Sequence, residues 1–410
     1  MFQTSRKLED LCRSCGFCER EVSCPGIEDC IGCGACVDAC PYRARLFESV
    51  YEKRKSVRVT VNGETFEVPQ RITVLRALEL LGFKVSRYPG GGDVFAPCRT
   101  GGCWSCAVII DGSLKPSCVT PVRDGVKIET HEAAVSRQPP LRLVSGFQGH
   151  FVGGVGTPYW IKPRGRMGRY VEVACFAHGC ILRCPTCQNW RVTYSSRLKP
   201  LSPVQTSKLM TLARREYGVD RMAISGGECT LNRRWLVNYV RELKALNADE
   251  RARIHVDTNA VILRPDYVEE LIEAGVTDIG PDIKGLKLDT FLRITGLDDR
   301  GLAERLLDTM WGAVKYLLDH HWGEIFIGVG IPYNPGLISM EEIYLTGERI
   351  AGWEPRVQVC VLDYRPEFRR RDIRRPSYDE MIGVKRTLED AGLKCVICQT
   401  EYGHVGPGEA

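Results

Sequence analysis

The stretch Cys180-Ile181-Leu182-Arg183-Cys184-Pro185-Thr186-Cys187 places three thiols within eight residues, separated by three residues and then two. It follows directly on a strand-like run, 170–176. Thiolates are soft ligands suited to iron–sulfur clusters or zinc. A four-iron cluster normally takes four cysteines. Three at this spacing can hold three irons and leave the fourth open to a ligand that is not protein. The alternatives are a zinc knuckle with a distant fourth ligand, or three core cysteines.

The composition narrows the class. A chain of 410 residues has room for two or three domains, each with its own core. Its 44% hydrophobic content fits a globular protein. The formal charge of +5 is too mild to argue for nucleic acid. No run of about 18 apolar residues predicts a membrane span, and there is no signal-peptide core near the N-terminus. These features point to the cytoplasm. The 20 cysteines argue against a disulfide framework and for metal or redox chemistry in a reducing, anaerobic cell.

Eight of those cysteines fall in the first 45 residues: Cys12, Cys15, Cys18, Cys24, Cys30, Cys33, Cys36 and Cys40. The run Cys30-x2-Cys33-x2-Cys36-x3-Cys40-Pro41 resembles the bacterial ferredoxin motif, in which the fourth cysteine ligates the other cluster. Upstream, Cys12-x2-Cys15-x2-Cys18-x5-Cys24-Pro25 is a looser version. The resemblance implies one [4Fe-4S] cluster on Cys12, Cys15, Cys18 and Cys40, and a second on Cys30, Cys33, Cys36 and Cys24. So short a segment buries little apolar surface, so the clusters are expected to act as its core. A pair of structural zinc sites is the alternative.

Residues 56–130 read differently. The alternating run 57–61, the turn Asn62-Gly63 and the return 65–68 predict a hairpin. Thr73 is placed to cap a helix running to Leu81. A Gly-rich loop, 90–92, leads to Cys98-x4-Cys103-x2-Cys106, with Cys118 further on, which is the plant-type [2Fe-2S] spacing. With a second hairpin at Asp111-Gly112, this stretch resembles a β-grasp ferredoxin. Residues 132–168, rich in Pro, Gly and Arg, read as a linker and lead-in. Lys162, Arg164, Arg166 and Arg169 form a basic cluster there, read as a solvated face or a contact with the cluster domains.

From residue 170 strand and helix alternate. Strand-like runs are 170–176, 221–225, 253–257, 278–283, 325–330, 356–362 and 394–399, with amphipathic stretches such as 233–246 and 341–351 between them. This order implies a parallel sheet with right-handed crossovers. In parallel barrels ligands sit at the C-terminal ends of strands. The informative residues fall at those ends: the cysteine stretch, Gly226-Gly227-Glu228, Asp257-Thr258-Asn259 and Asp282-Ile283-Lys284.

Taken together these motifs resemble the radical S-adenosylmethionine (SAM) superfamily, and within it the pyruvate formate-lyase activating enzyme group. The triad Cys180, Cys184 and Cys187 matches the superfamily spacing, with Thr186 where the family usually has an aromatic residue. Gly226, Gly227 and Glu228 match the segment that binds the methionine amino group of SAM. Asp257, Thr258 and Asn259, with Asp282 and Lys284, match the segments that hold the SAM carboxylate together with a bound cation. The helix 288–296 continues that match, and Ala260 stands where the group has glycine. Tyr333-Asn334-Pro335 falls where such proteins commonly meet the SAM ribose or adenine.

The architecture implied is α/β: a partial parallel (β/α)6 radical SAM barrel over 169–410, after a bacterial-ferredoxin-like domain over 1–50, a β-grasp [2Fe-2S] domain over 54–131 and the linker 132–168. The cofactors implied are SAM, three [4Fe-4S] clusters and one [2Fe-2S] cluster. The activity implied is reductive cleavage of SAM to a 5′-deoxyadenosyl radical that abstracts hydrogen, fed by an external ferredoxin or flavodoxin. The activating-enzyme likeness implies a glycyl-radical protein as substrate. Other readings are modification of another protein residue or a small molecule, or an electron-transfer subunit without catalysis. Of the remaining cysteines, Cys175 and Cys360 read as buried hydrophobes and Cys229 as a pocket thiol. Cys395 and Cys398 are separated so that a strand points them to opposite faces.

Overall fold

The computed structural model describes residues 2–24, 29–163 and 168–408. Arg164 and Arg166 of the basic cluster therefore lie outside the described residues. The chain forms two compact units, neither contiguous in sequence. One comprises Met1–Ser145, Ala177–Ile181 and Asn189–Pro203; the other comprises Gly146–Phe176, Leu182–Gln188 and Val204–Ala410.

In the first unit, strands Phe2–Lys7 and Arg45–Val50 pair antiparallel, Phe2 opposite Val50 and Lys7 opposite Arg45. They bracket the cysteine-rich turns and the short helices Phe17–Arg20 and Ala35–Ala39. Neither strand stands out in the sequence, because only Ser5 and Arg45 in them are buried and no apolar alternation marks them.

The β-grasp part follows the sequence closely. Hairpin Ser56–Val61 and Glu64–Pro69 joins Val126–Glu129, which runs parallel to Ser56–Val61. Hairpin Ala107–Ile110 and Ser113–Pro116 completes the five-stranded sheet. Helix Val74–Leu80 is capped by Thr73, whose side chain accepts from Arg76 N. It buries Val74, Leu75, Ala77 and Leu78 on a core with Val59, Val61 and Ile128.

The second unit is built on a nine-stranded sheet. Arg221–Gly226, Arg253–Thr258, Asp278–Pro281, Phe326–Tyr333, Gln358–Asp363 and Cys395–Thr400 are successive parallel neighbours. Helices such as Arg233–Leu246, Arg300–His321 and Tyr378–Asp390 each bury one apolar face. This is the partial parallel barrel the strand order implied. The stretch expected as a linker contributes structure of its own: helix Glu132–Arg137, and strand Val144–His150 beside Glu172–Ala177 in the large sheet.

The Gly-rich segment 153–157 passes among the first residues of the barrel strands. Glu172 accepts from Gly154 N at 3.1 Å and from Thr157 Oγ1 at 3.1 Å. Arg221 donates to Gly156 O at 3.1 Å. Gln358 donates to Thr157 O at 2.8 Å and accepts from Tyr159 N at 2.9 Å. Arg221 also pairs with Asp278 at 3.0 Å and Glu172 at 3.7 Å, all of them buried. The segment fits because the strands present glycine to it: a Cβ on Gly328 would lie 2.4 Å from Val155 O. This strap closes the N-terminal mouth of the barrel, opposite the strand ends that carry the motifs.

A Cβ on Gly156 would lie 2.6 Å from His255 Nε2 and 2.7 Å from Gly280 N, and backbone cannot give way as a side-chain tip can. Gly156→Ala should therefore destabilise the barrel by about 1–3 kcal/mol, as overpacking does. Gly312→Ala, in an exposed part of helix Arg300–His321 with nothing within 4 Å of the new methyl, should stabilise it by up to about 1 kcal/mol. Thermal unfolding of the two variants checks the pair, and equal shifts would contradict the packing of the strap.

Candidate functional site

The turn carrying Cys184 and Cys187 is fixed by backbone contacts from three sides. Cys187 N donates to Cys184 O at 3.1 Å. Arg183 N donates to Thr295 O at 2.8 Å, at the end of helix Leu288–Thr295. Gly296 follows that helix at φ 66°, and a Cβ there would lie 2.6 Å from Arg183 O. Pro185 O accepts from both Arg369 N and Arg370 N, at 2.9 and 3.0 Å. Cys180, the first thiol of the three, is buried and belongs to the first unit.

Asp282 and Lys284 stand beside Cys184. Lys284 Nζ pairs with Asp282 Oδ2 and donates to Tyr364 Oη at 2.8 Å. Burial works against the Lys284 ammonium, but Asp282, Tyr364 and the Cys184 thiol together hold its pKa well above the usual lysine value. Burial pushes the Cys184 thiol up to about 12, with Lys284 pulling it down. A cationic lysine against this sulfur favours a thiolate ligand. Tyr364 precedes an arginine-rich stretch of the chain, with Arg365 next to it and Arg369, Arg370 and Arg371 beyond. It is buried, and burial pushes its hydroxyl well above an ordinary tyrosine.

Glu228 braces two strand ends. Gly226 ends its strand at φ 119°, a conformation open to glycine, and turns the chain toward Glu228. Glu228 Oε1 accepts from Thr230 N at 3.0 Å, Thr230 Oγ1 at 2.7 Å and Thr258 Oγ1 at 2.6 Å; Oε2 accepts from Asn259 N at 2.8 Å. Its carboxylate thus ties the loop after Arg221–Gly226 to the one after Arg253–Thr258. Ala260 completes the second turn at φ 57°, which accounts for glycine at that place in the resembled group.

Asp257 accepts from Ser225 Oγ at 3.0 Å through Oδ2, while its Oδ1 and the Oδ1 of Asp282 have no hydrogen-bond partner among the described residues. Burial raises the Asp257 pKa from 3.8 to about 6, and the Asp282 and Glu172 carboxylates add to this against His255. His255 Nε2 lies 3.8 Å from Asp257 Oδ1, and two carboxylates, each with a buried oxygen lacking a hydrogen bond, suit a cationic group nearby. Cys229, read as a pocket thiol, is fully buried and donates to Asp257 O at 3.2 Å. Asn334 serves its own turn, donating to Tyr364 O and Arg374 O. Cys398 is buried with Sγ 3.1 Å from Met381 O, and Cys395 is half-buried, as opposite strand faces require.

The N-terminal cysteines assemble as well. Cys18, Cys24, Cys30, Cys33 and Cys36 line one pocket together with Arg45. Burial pushes the Cys33 thiol up to about 12, and the thiols of Cys36, Cys24 and Cys30 act on it in the same direction. Cys18 senses Cys40, after burial and Arg45. Cys12 is half-buried in the turn after Phe2–Lys7, and Cys15 is exposed with its carbonyl accepting from Arg20 at 2.8 Å. In the β-grasp part Cys98, Cys103, Cys106 and Cys118 are all buried. Hydrogen bonds from Cys103 and Cys118 hold the Cys98 thiol well below the usual thiol range. Four buried thiols within hydrogen-bond reach of one another are a donor set for a thiolate-bound metal group rather than apolar packing.

Residues 175–337 match the Radical SAM superfamily model. The chain carries a radical SAM domain. Residues 54–133 match the 2Fe-2S iron-sulfur cluster binding domain and residues 27–45 the 4Fe-4S binding domain. An uncharacterized iron-sulfur protein of Methanocaldococcus jannaschii is 34% identical over 111 residues, 23% of this chain and 22% of that protein. The NADPH-Fe(3+) oxidoreductase subunit alpha of Geobacter sulfurreducens is 37% identical over 83 residues, 20% of this chain and 10% of that one. The chain thus spans only a small part of the length of these curated relatives. Among solved structures, SuiB of Streptococcus suis bound to S-adenosylmethionine aligns at a TM-score of 0.38 and 17% identity, over 52% of this chain and 44% of that one. Escherichia coli coproporphyrinogen III oxidase, HemN, described as a radical SAM enzyme, aligns at 0.33 and 16%, over 46% and 44%. No helix among the described residues of the radical SAM domain or its partners in the chain is long and apolar enough to cross a membrane.

Two predictions concern the radical SAM domain. Between its ordinary pKa of 3.8 and about 6, Asp257 binds its proton more tightly in the folded chain than in the unfolded one. Its contribution to stability is therefore full at low pH and is lost as pH rises through about 6. In the cluster-loaded, SAM-free protein, Asp257→Asn should flatten the fall in unfolding temperature between about pH 4 and pH 6; an unchanged slope would contradict the assignment. Glu228→Gln turns an amide N–H₂ toward hydroxyl or backbone donors, and should destabilise the fold by about 1–3 kcal/mol. The same variant should weaken SAM binding, measured by calorimetry, because both motif loops lose their common brace.

Proposed function

We propose that this chain is a radical SAM enzyme that cleaves SAM reductively and uses the product radical to abstract a hydrogen atom from a substrate, with electrons supplied through its own iron–sulfur domains. The observation that carries the reading is the position of Cys184 beside Asp282 and Lys284, at the barrel end where Glu228 braces the Gly226-Gly227 and Asp257–Asn259 loops. Cys180, Cys184 and Cys187 would hold a [4Fe-4S] cluster with one iron left to SAM. When bound, that cluster and SAM supply the one-electron cleavage.

The chain's own residues do the rest. Gly226 and Gly227 leave backbone open to the SAM ammonium. The unanswered oxygens of Asp257 and Asp282 take a cation that serves the SAM carboxylate, and Lys284 holds charge beside Cys184. The strap 153–157 shuts water out from the far mouth of the barrel, which protects a reactive intermediate from side reactions. Cys12, Cys15, Cys18 and Cys40, then Cys24, Cys30, Cys33 and Cys36, would hold two further [4Fe-4S] clusters; Cys98, Cys103, Cys106 and Cys118 would hold the [2Fe-2S] cluster. The external donor is a ferredoxin or flavodoxin and the compartment the cytoplasm.

The finer reading is an activating enzyme that installs a radical on a protein glycine. The observation favouring it is the pairing of the Asp257-Thr258-Asn259 and Asp282-x-Lys284 segments, joined where Asp282 N donates to Thr258 O at 2.7 Å. Protein reconstituted without oxygen should carry about 14 irons per chain. With dithionite it should release 5′-deoxyadenosine and methionine, and Cys184→Ala should abolish the release. Cleavage that persists in that variant would overturn the site. A doublet glycyl signal appearing in an added glycyl-radical protein would establish the finer reading, and its absence would leave hydrogen abstraction from another substrate.

A further inference from the structure

Within the first unit, the loop Cys98–Cys103 and the residues leading into Cys180 meet backbone to backbone. A Cβ on Gly102 would lie 2.6 Å from Gly179 N and 2.9 Å from His178 Cβ. A Cβ on Gly179 would lie 2.8 Å from Cys103 N and 3.1 Å from Cys98 Sγ. Leu143 stitches the two strands of chain together, donating to Gly102 O at 3.3 Å and accepting from His178 N at 3.0 Å. Arg87, from the same β-grasp part, donates to Ile181 O at 2.5 Å, just past Cys180. The cysteine pocket of Cys24, Cys30, Cys33 and Cys36 reaches this part of the chain elsewhere. It is lined by Arg197, whose Nε donates to Val22 O at 2.9 Å, ten residues beyond Cys187.

We infer that the [2Fe-2S] loop is the immediate electron donor to the cluster anchored at Cys180, across the contact of Gly102 with Gly179, and that the two N-terminal [4Fe-4S] sites lie upstream of it. The inference rests on the radical SAM reading above. Electron transfer falls steeply with distance, and here one ligand loop touches the residue next to the other. The balance is simple. One electron leaves the reduced [2Fe-2S] group, which returns to its oxidised form, and one electron reaches the oxidised [4Fe-4S] group. No bond forms or breaks, no proton moves, and a low-potential one-electron protein donor, or dithionite in vitro, replaces the electron. Glycine at 102 and 179 is what allows the approach, because any side chain at either place would wedge the loops apart.

The test is spectroscopic. In the full-length, cluster-loaded, dithionite-reduced chain, the spin–lattice relaxation of the rhombic [2Fe-2S] signal is measured by pulsed electron paramagnetic resonance. A reduced neighbour shortens that relaxation. Cys184→Ala, which removes the neighbour at the triad, should lengthen it several-fold, and Cys33→Ala should lengthen it less. Gly102→Val, with the [2Fe-2S] iron retained, should lengthen it as Cys184→Ala does; if that variant loses its iron, the two cysteine variants decide alone. An unchanged relaxation in Cys184→Ala, or a larger effect from Cys33→Ala, overturns the inference. Adding SAM to the wild type separates the two readings. If SAM leaves every [4Fe-4S] signal unaltered, the radical SAM reading fails; if SAM shifts one and the relaxation still ignores Cys184, only the order of the path fails.

Discussion

The buried guanidinium of Arg221 is the contact on which the barrel depends. It sits between Asp278 and Glu172 and reaches the strap through Gly156 O. Removing one member of such a group leaves an uncompensated charge in the interior, a loss on the order of 3–5 kcal/mol. The same group sets the strap at a fixed height. Above it, a Cβ on Gly154 or Gly280 would lie 2.9 or 2.7 Å from the Asp257 carboxylate, so the floor of the barrel also shapes the place of that side chain. Stability at one end and chemistry at the other share a handful of atoms.

At the opposite end the motif loops are joined rather than merely adjacent. Glu228 spends its oxygens on Thr230, Thr258 and Asn259, which makes it a positioning residue. Lys284 links Asp282, Tyr364 and the Cys184 thiol in one charged set. A ligand arriving there finds donors and acceptors already ordered, with little reorganisation left to do.

Much of this was readable from the chain. The barrel strands declare themselves as short apolar runs ending in polar residues, and 253–258 or 278–281 differ from expectation by a residue or two. Cysteine spacing is a local property, so the three sets of thiols could be found without a fold. What stayed hidden depends on partners far away in sequence. The strap reads as a linker because its function lies in glycines at 280 and 328, more than a hundred residues on. Glu228 reads as a ligand contact because Thr258 and Asn259 lie about thirty residues later. Tyr364 sits beside arginines in sequence, where nothing local marks it as buried, yet it is turned inward to Lys284.

The meeting of Gly102 with Gly179 has a consequence for how such a chain can vary. Domains strung along a polypeptide can usually be exchanged, because their join is a loop that tolerates almost any sequence. Here the two segments are keyed to each other by the lack of side chains. A ferredoxin module borrowed from another protein would need a glycine in register with 102, and a loop before Cys180 that drifted away from glycine would reject the module it now holds. The fusion is therefore bound to be inherited as a matched set, with each glycine acting as the record of the other.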